Sequence, residues 1–276
     1  MKGREIEARK VLNRYARSKD TIIKDEDWQI ILETERKKMK FVNTRTHLTD
    51  LFRRPFIRIV SLVIMYIWLV AHCVYYGLVL NVGSLMGDPY LNATLNGSTE
   101  IIAVLVFAIV NRRYGAKQCL IVGMFGSSSL CFTAMITGKI DDTNETALQI
   151  VRWASIAGKL FTTVAFFASY QYTNDVFPII TRGKAMALAS TCARLGSIII
   201  PFVIQTTFDT LWITQALFGV LGLSAGLTML VMPKTSSHSF TTTIQEAEEY
   251  YHKEMTWIAK FVGKQVKVTI NNNSYM

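Results

Sequence analysis

Six apolar runs near twenty residues long dominate this 276-residue chain: 59–80, 91–110, 118–137, 148–172, 185–207 and 211–232. A helix of that length crosses the roughly 30 Å hydrocarbon core of a bilayer. Lipid offers the backbone no partners, so each run has to close its hydrogen bonds within itself. The expected fold is all-α: a polytopic six-helix membrane bundle over 59–232, preceded by a cytoplasmic segment (1–58) and followed by a cytoplasmic tail (233–276). The second run differs in composition. Only 101–110 is continuously apolar, while Asn92, Thr94, Asn96, Ser98, Thr99 and Glu100 fill its first half, so that half should face protein or water rather than lipid.

The net charge of +10 is concentrated at one end: residues 1–58 carry 16 Lys and Arg against 9 Asp and Glu, or +7. This segment has neither base-reading motifs nor the interleaved aromatics of a stacking platform, which argues against a nucleic-acid partner. Basic residues also orient the spans. Arg53, Arg54 and Arg58 precede the first run, Arg112, Arg113 and Lys117 join the second to the third, and Arg182 and Lys184 join the fourth to the fifth. These segments are predicted cytoplasmic. The alternate connections lean acidic, with Asp88, with Lys139 beside Asp141, Asp142 and Glu145, and with Asp209, and belong outside. Both termini are then cytoplasmic, and the plasma membrane is the expected location. The first residues form a charged stretch without the apolar core of a cleavable signal, so the first span is expected to act as its own insertion signal.

Hydrolysis and phosphoryl transfer are poorly supported, and an enzyme is not expected. His47, His72, His238 and His252 stand apart from any Cys, Asp or Glu at metal spacing, no Gly-rich loop cradles phosphate, and no serine sits in a nucleophile elbow. No cofactor or metal is expected. Cys73, Cys119, Cys131 and Cys192 fall in or beside apolar runs and read as small buried thiols.

Two fixed cations carry the functional signal. Lys159 and Arg194 sit deep in the fourth and fifth runs with no acidic neighbour in sequence, and a charge at that depth costs roughly 2.5–3.5 kcal/mol on insertion scales. A transported anion is a natural partner. For Lys159 the competing partner is Glu100 on another helix. On the fourth run Lys159, Thr163, Phe166, Tyr170 and Thr173 share one helical face. The first run offers Tyr66, Trp68, His72, Tyr75 and Tyr76, and such an aromatic wall holds flat or cationic groups when it is not simply helix packing.

Residues 1–58 read as helical, with Ile6, Val11, Leu12 and Tyr15 on one apolar face and Trp28, Ile30, Ile31 and Leu32 on another. The tail holds a short helix around Thr243-Ile244-Gln245-Glu246-Ala247-Glu248-Glu249-Tyr250-Tyr251, and its Ser274-Tyr275-Met276 end fits carboxylate capture by a PDZ-type scaffold. Of three glycosylation acceptors, Asn144 lies in an external loop and is the expected site, whereas Asn92 and Asn96 fall in or beside the second run and read as cavity polar groups.

The order of residues resembles the organic cation, organic anion and carnitine transporter family of the major facilitator superfamily. The resemblance rests on Gly158-Lys159, on Asp175-Val176-Phe177-Pro178 with Arg182, and on Ala193-Arg194-Leu195-Gly196-Ser197 with Pro201. It extends to Lys2-Gly3-Arg4 with Glu7-Ala8, to Asp50-Leu51-Phe52-Arg53-Arg54-Pro55, to Tyr66-Ile67-Trp68 with Tyr75 and Gly77, and to the tail from Thr243 to Glu248. It covers the carboxyl-terminal six-helix half alone, so the missing amino-terminal half is an expected partner. The resemblance implies substrate bound between two six-helix halves at mid-membrane and exposed alternately to each side.

Pocket candidates are Arg194, Lys159, Trp68, Tyr75, Phe166 and Phe167, with Glu100. Gating candidates are Arg112, Arg113, Gly115, Asp175 and Arg182. Where the family has Asp-Arg-x-Gly this chain has Arg112-Arg113-Tyr114-Gly115, and a Pro-Glu-Thr tail entry is here Pro233-Lys234-Thr235. Arg at position 194 resembles the anion or carnitine branches, since a guanidinium clamps a carboxylate bidentately. The expected function is transport of a small organic anion or a zwitterion such as carnitine. The alternative is a truncated, non-transporting membrane protein that binds or modulates a partner transporter.

Overall fold

The structure, a computed structural model, describes residues 9–14, 28–33, 47–85, 89–140, 145–207, 210–233 and 244–254. Two compact units divide the chain, Met1–Thr46 and His47–Met276. In the first, 9–14 and 28–33 are helical, and the Arg9 guanidinium lies 6.0 Å from the centre of the Trp28 ring. Ile6, Tyr15, Asn144, His238 and Ser274-Tyr275-Met276 lie outside the described residues, as does the side chain of Asn92.

In the second unit a single turn, Asp50–Arg53, leads into six long helices: α1 (Pro55–Leu85), α2 (Pro89–Tyr114), α3 (Ala116–Ile140), α4 (Glu145–Val176), α5 (Ile179–Thr206) and α6 (Leu211–Val231). Each is long and apolar enough to cross a membrane, and together they form the all-α six-helix bundle that the apolar runs predict. A tail helix, α7 (Ile244–Glu254), follows. No strand occurs among the described residues.

The helices outrun the apolar stretches where polar residues extend them. Most informative is the Thr181-Arg182-Gly183-Lys184 segment, read from sequence as a connection. It is the first turn of α5, with the N–H groups of Thr181 and Arg182 both donating to the Pro178 carbonyl, so the α4–α5 connection shrinks to Phe177 and Pro178. The fixed φ of proline ends one helix and pre-sets the next. Gly115 alone makes the still shorter α2–α3 turn at φ 85, a backbone region that a Cβ disfavours.

Helix α1 is the hub, touching α4, α5 and α6, while α3 lies between α4 and α6. Along the most apolar stretch of α1 61% of residues are buried, against 11% for α2 and 22% for α5, so those two helices lie at the edges of the bundle. The α1–α5 contact is close enough that a Cβ on Gly196 would stand 2.8 Å from both the Leu69 carbonyl oxygen and Cys73 Sγ. Between α3 and α4, a Cβ on Gly123 would meet Ala165 Cβ and the Phe161 carbonyl, each at 2.8 Å. Small hydroxyls add cross-helix links: Ser127 with Thr162 at 2.5 Å, and Ser128 donating to the Gly219 carbonyl at 2.7 Å. With few hydrophobic gains available between helices in lipid, such close approach and hydrogen bonding supply the association energy.

One end of the bundle collects Arg53, Arg54, Arg112, Arg113, Lys117, Arg182 and Lys184, and here helix termini are capped by distant side chains. The N–H groups of Phe56 and Ile57, in the first turn of α1, donate to the two carboxylate oxygens of Glu248 on α7, each at 3.2 Å. Tyr251 of α7 donates its hydroxyl to the Val176 carbonyl, the last of α4. Tyr172 of α4 donates to the Pro233 carbonyl at 3.0 Å, and Lys117 Nζ to the Met232 carbonyl at 2.5 Å, which together satisfy the chain leaving α6. These are the orphan groups that every helix end leaves over.

Candidate functional site

Helices α1 and α4 build two facing walls. On α1, Trp68, His72, Tyr75 and Tyr76 recur at helical spacing, and on α4 Phe166 and Tyr170 answer them. The Trp68 ring lies 4.3 Å from Tyr170 and 5.5 Å from His72, and Phe166 lies 4.6 Å from His72, 5.2 Å from Tyr75 and 5.3 Å from Tyr170, measured between ring centres. The geometry is tilted or offset throughout, as ring quadrupoles favour. Trp68, fully buried, satisfies its indole N–H on Thr173 Oγ1 at 2.9 Å. His72 donates Nδ1–H to the Trp68 carbonyl at 2.8 Å, which fixes its tautomer and leaves Nε2 as an acceptor.

Above this aromatic stack sits the charged group. Lys159 is 14 residues into α4, about 21 Å along the helix axis at 1.5 Å per residue. Its side chain is 1% exposed, yet the ammonium is not isolated. It lies 3.4 Å from Glu100 Oε1 and donates to the Asn96 carbonyl at 2.8 Å, both on α2. Tyr75 donates its hydroxyl to the same Glu100 oxygen at 2.5 Å, and the ammonium stands 6.0 Å from the Tyr75 ring centre. Three helices therefore meet at one carboxylate, whose own side chain is 46% exposed. Beside the group, the buried side-chain oxygen of Asn96 has no donor among the described residues.

Arg194 is set apart from this arrangement. It lies midway along α5, exposed, with no hydrogen bond or ion pair among the described residues, but within electrostatic reach of His72. Lys159, Glu100, Tyr75, Trp68 and Phe166 are thus brought together, with Arg194 near. Phe167 turns towards α2, its ring 6.1 Å from Phe107 and 5.7 Å from Phe166.

The residues read as gating sit at the basic end. Asp175 accepts from Gln171 Nε2 at 2.9 Å and lies within electrostatic reach of Arg182. Arg113 lies 5.7 Å from the Tyr114 ring, and neither it nor Arg112 has a carboxylate partner among the described residues. Sequence reasoning missed the role of the Asn96 backbone and of Glu248. Asn96 and Glu100 stand four residues apart and so share a face of the half-polar second span, but an acceptor supplied by the Asn96 backbone is independent of residue type.

The model of the sugar (and other) transporter family matches residues 1–247. Among curated relatives, solute carrier family 22 member 15 of Xenopus tropicalis is 29% identical over 202 residues, 72% of this chain and 38% of that protein. Solute carrier family 22 member 13 of Homo sapiens is 31% identical over 199 residues, 72% of this chain and 35% of that protein. The organic cation transporter protein of Drosophila melanogaster is 27% identical over 264 residues, 92% of this chain and 46% of that protein. The chain therefore spans less than half the length of the curated relatives it matches. Six spanning helices and a family model matched over most of the chain lead to one assignment: the chain belongs to the sugar (and other) transporter family of the major facilitator superfamily, a family of transporters and not of enzymes.

Proposed function

We propose that this chain forms one half of a multi-pass secondary transporter for small organic anions or zwitterions, working by alternating access, with its basic segments and both termini in the cytoplasm of a plasma-membrane protein. The observation that carries the reading is the buried ammonium of Lys159, held among the described residues by one half-exposed carboxylate and one carbonyl beside an aromatic wall, with the guanidinium of Arg194, unpaired among the described residues, in electrostatic reach of His72 on that wall. A carboxylate is the group these two cations accept, and Arg194 grips it in a two-point geometry. A quaternary ammonium at the other end of a carnitine-like zwitterion would rest on the faces of Tyr75 and Phe166 with Glu100 as counter-charge. The edge helices α2 and α5, little covered in this bundle, are the surfaces against which a second six-helix half would close the site.

Uptake of labelled carboxylates, betaines and organic cations tests this, measured for the chain alone and for the chain fused behind the amino-terminal six helices of a solute carrier family 22 relative. The fusion should take up carboxylates or betaines. Arg194→Asp should lower that uptake by about a hundredfold or more, the scale of about 3 kcal/mol for a lost charge-assisted pair, at equal surface expression. Unchanged uptake in Arg194→Asp rejects the role of Arg194. A fusion that carries none of the three classes while binding another transporter would favour a modulatory protein instead.

A further inference from the structure

The tail helix α7 touches two helix ends that the candidate site depends on. An eleven-residue helix is marginal by itself in water. Only Ala247 and Tyr251 of its side chains are fully buried, while Gln245, Glu246, Glu249, His252, Lys253 and Glu254 are exposed. Its attachment includes the Glu248 carboxylate on the first N–H groups of α1, the Tyr251 hydroxyl on the last carbonyl of α4, the edge of His252 against Phe56 at 5.4 Å, and the packing of Ile244, Ala247 and Tyr250 on the core of the bundle. The Glu248 pair is a side-chain cap supplied from 192 residues away, because Pro55 opens α1 and its first turn offers no local acceptor for Phe56. A carboxylate at that position also complements the positive end of a 31-residue helix. Burial pushes the Glu248 carboxyl above its usual range, against the pull of the two N–H groups, Arg54 and His252.

These helices are the same two that carry the facing walls: Trp68, His72 and Tyr75 on α1, and Lys159, Phe166 and Tyr170 on α4. Bonds that tie their basic ends together limit how far the walls can part on that side. We infer that α7 is a releasable clip between the N terminus of α1 and the C terminus of α4, with Glu248 and Tyr251 as positioning residues that hold the two walls together at the basic end. The clip itself stands on geometry alone, while its effect on the site rests on the transport reading above.

Because the clip docks as one unit, breaking one of its ends should loosen the other. Glu248→Gln touches only α1 and Tyr251→Phe only α4, and both are small enough changes to leave the bundle folded. Hydrogen exchange on the purified full chain is expected to speed up by about tenfold at 173–176 in Glu248→Gln, and at Phe56 and Ile57 in Tyr251→Phe, whereas Lys253→Gln on the exposed face of α7 changes neither. Exchange that rises only beside each substituted contact overturns the clip. For the site, a cysteine placed at the buried Ser169 of α4 should react about fivefold faster with a maleimide in the Glu248→Gln background than in wild type, read by peptide mapping so that the native cysteines need no removal. Unchanged labelling alongside the crossed exchange effect overturns the positioning role and leaves a structural tie. Failure of the transport reading shows differently, as absent uptake with both the exchange and labelling effects intact.

Discussion

Glu100→Gln is expected to destabilise the bundle more than Lys159→Met, although both remove the same ion pair. Lys159 is buried, so neutralising Glu100 leaves its ammonium without a counter-charge, facing the Asn96 carbonyl and a neutral amide, and breaking a buried pair from one side costs about 3–5 kcal/mol. The half-exposed Glu100 can instead be rehydrated, and it keeps the Tyr75 hydroxyl, so loss of Lys159 falls nearer the ~1 kcal/mol of an exposed pair. Thermal unfolding of the purified protein in detergent reads the order, and an inverted order shows that Glu100 is the more deeply desolvated member. Exchanging the two charges in Glu100→Lys with Lys159→Glu should recover part of the stability that either single change loses. Recovery of stability without recovery of uptake would separate the structural use of the pair from its use in binding.

The second large effect is steric. Gly196→Ala should cost about 1–3 kcal/mol by overpacking, because the new methyl would stand 2.8 Å from the Leu69 carbonyl oxygen and the α1 backbone cannot swing aside as a side chain can. Helix α5 is attached to the bundle chiefly through α1, so the loss falls on its whole docking and should lower folded yield as well as the thermal midpoint. Gly97→Ala on α2 is the control: no atom lies within 4 Å of its Cβ position, so this change should be neutral or stabilise α2 by up to about 1 kcal/mol through helix propensity. Equal midpoints for the two variants would mean that α1 and α5 do not approach as closely as Gly196 requires.

What was legible in the sequence follows from how strongly lipid constrains it. Six spans could be read because a bilayer tolerates nothing else over twenty apolar residues. Their ends could not, because helices such as α5 run on through Thr181, Arg182, Gly183 and Lys184, where no apolar signal remains. A pairing between Lys159 and Glu100 was foreseeable as soon as each was seen to be expensive alone, whereas the Asn96 carbonyl was not, since a backbone acceptor leaves no trace in residue type. The aromatic faces of α1 and α4 followed from spacing, but that Trp68 would find Thr173 required knowing which helices are neighbours. Least visible was Glu248: in a polar tail it looks like any solvated glutamate, and only the fold delivers it to the start of a helix 192 residues earlier.

The meeting of α2 and α4 at one carboxylate also has a history in time. Glu100 is synthesised 59 residues before Lys159, so at about 5–20 residues per second it waits about 3–12 s for its counter-ion. During that interval the nascent α2 carries an acidic side chain without the basic mate it has in the finished bundle.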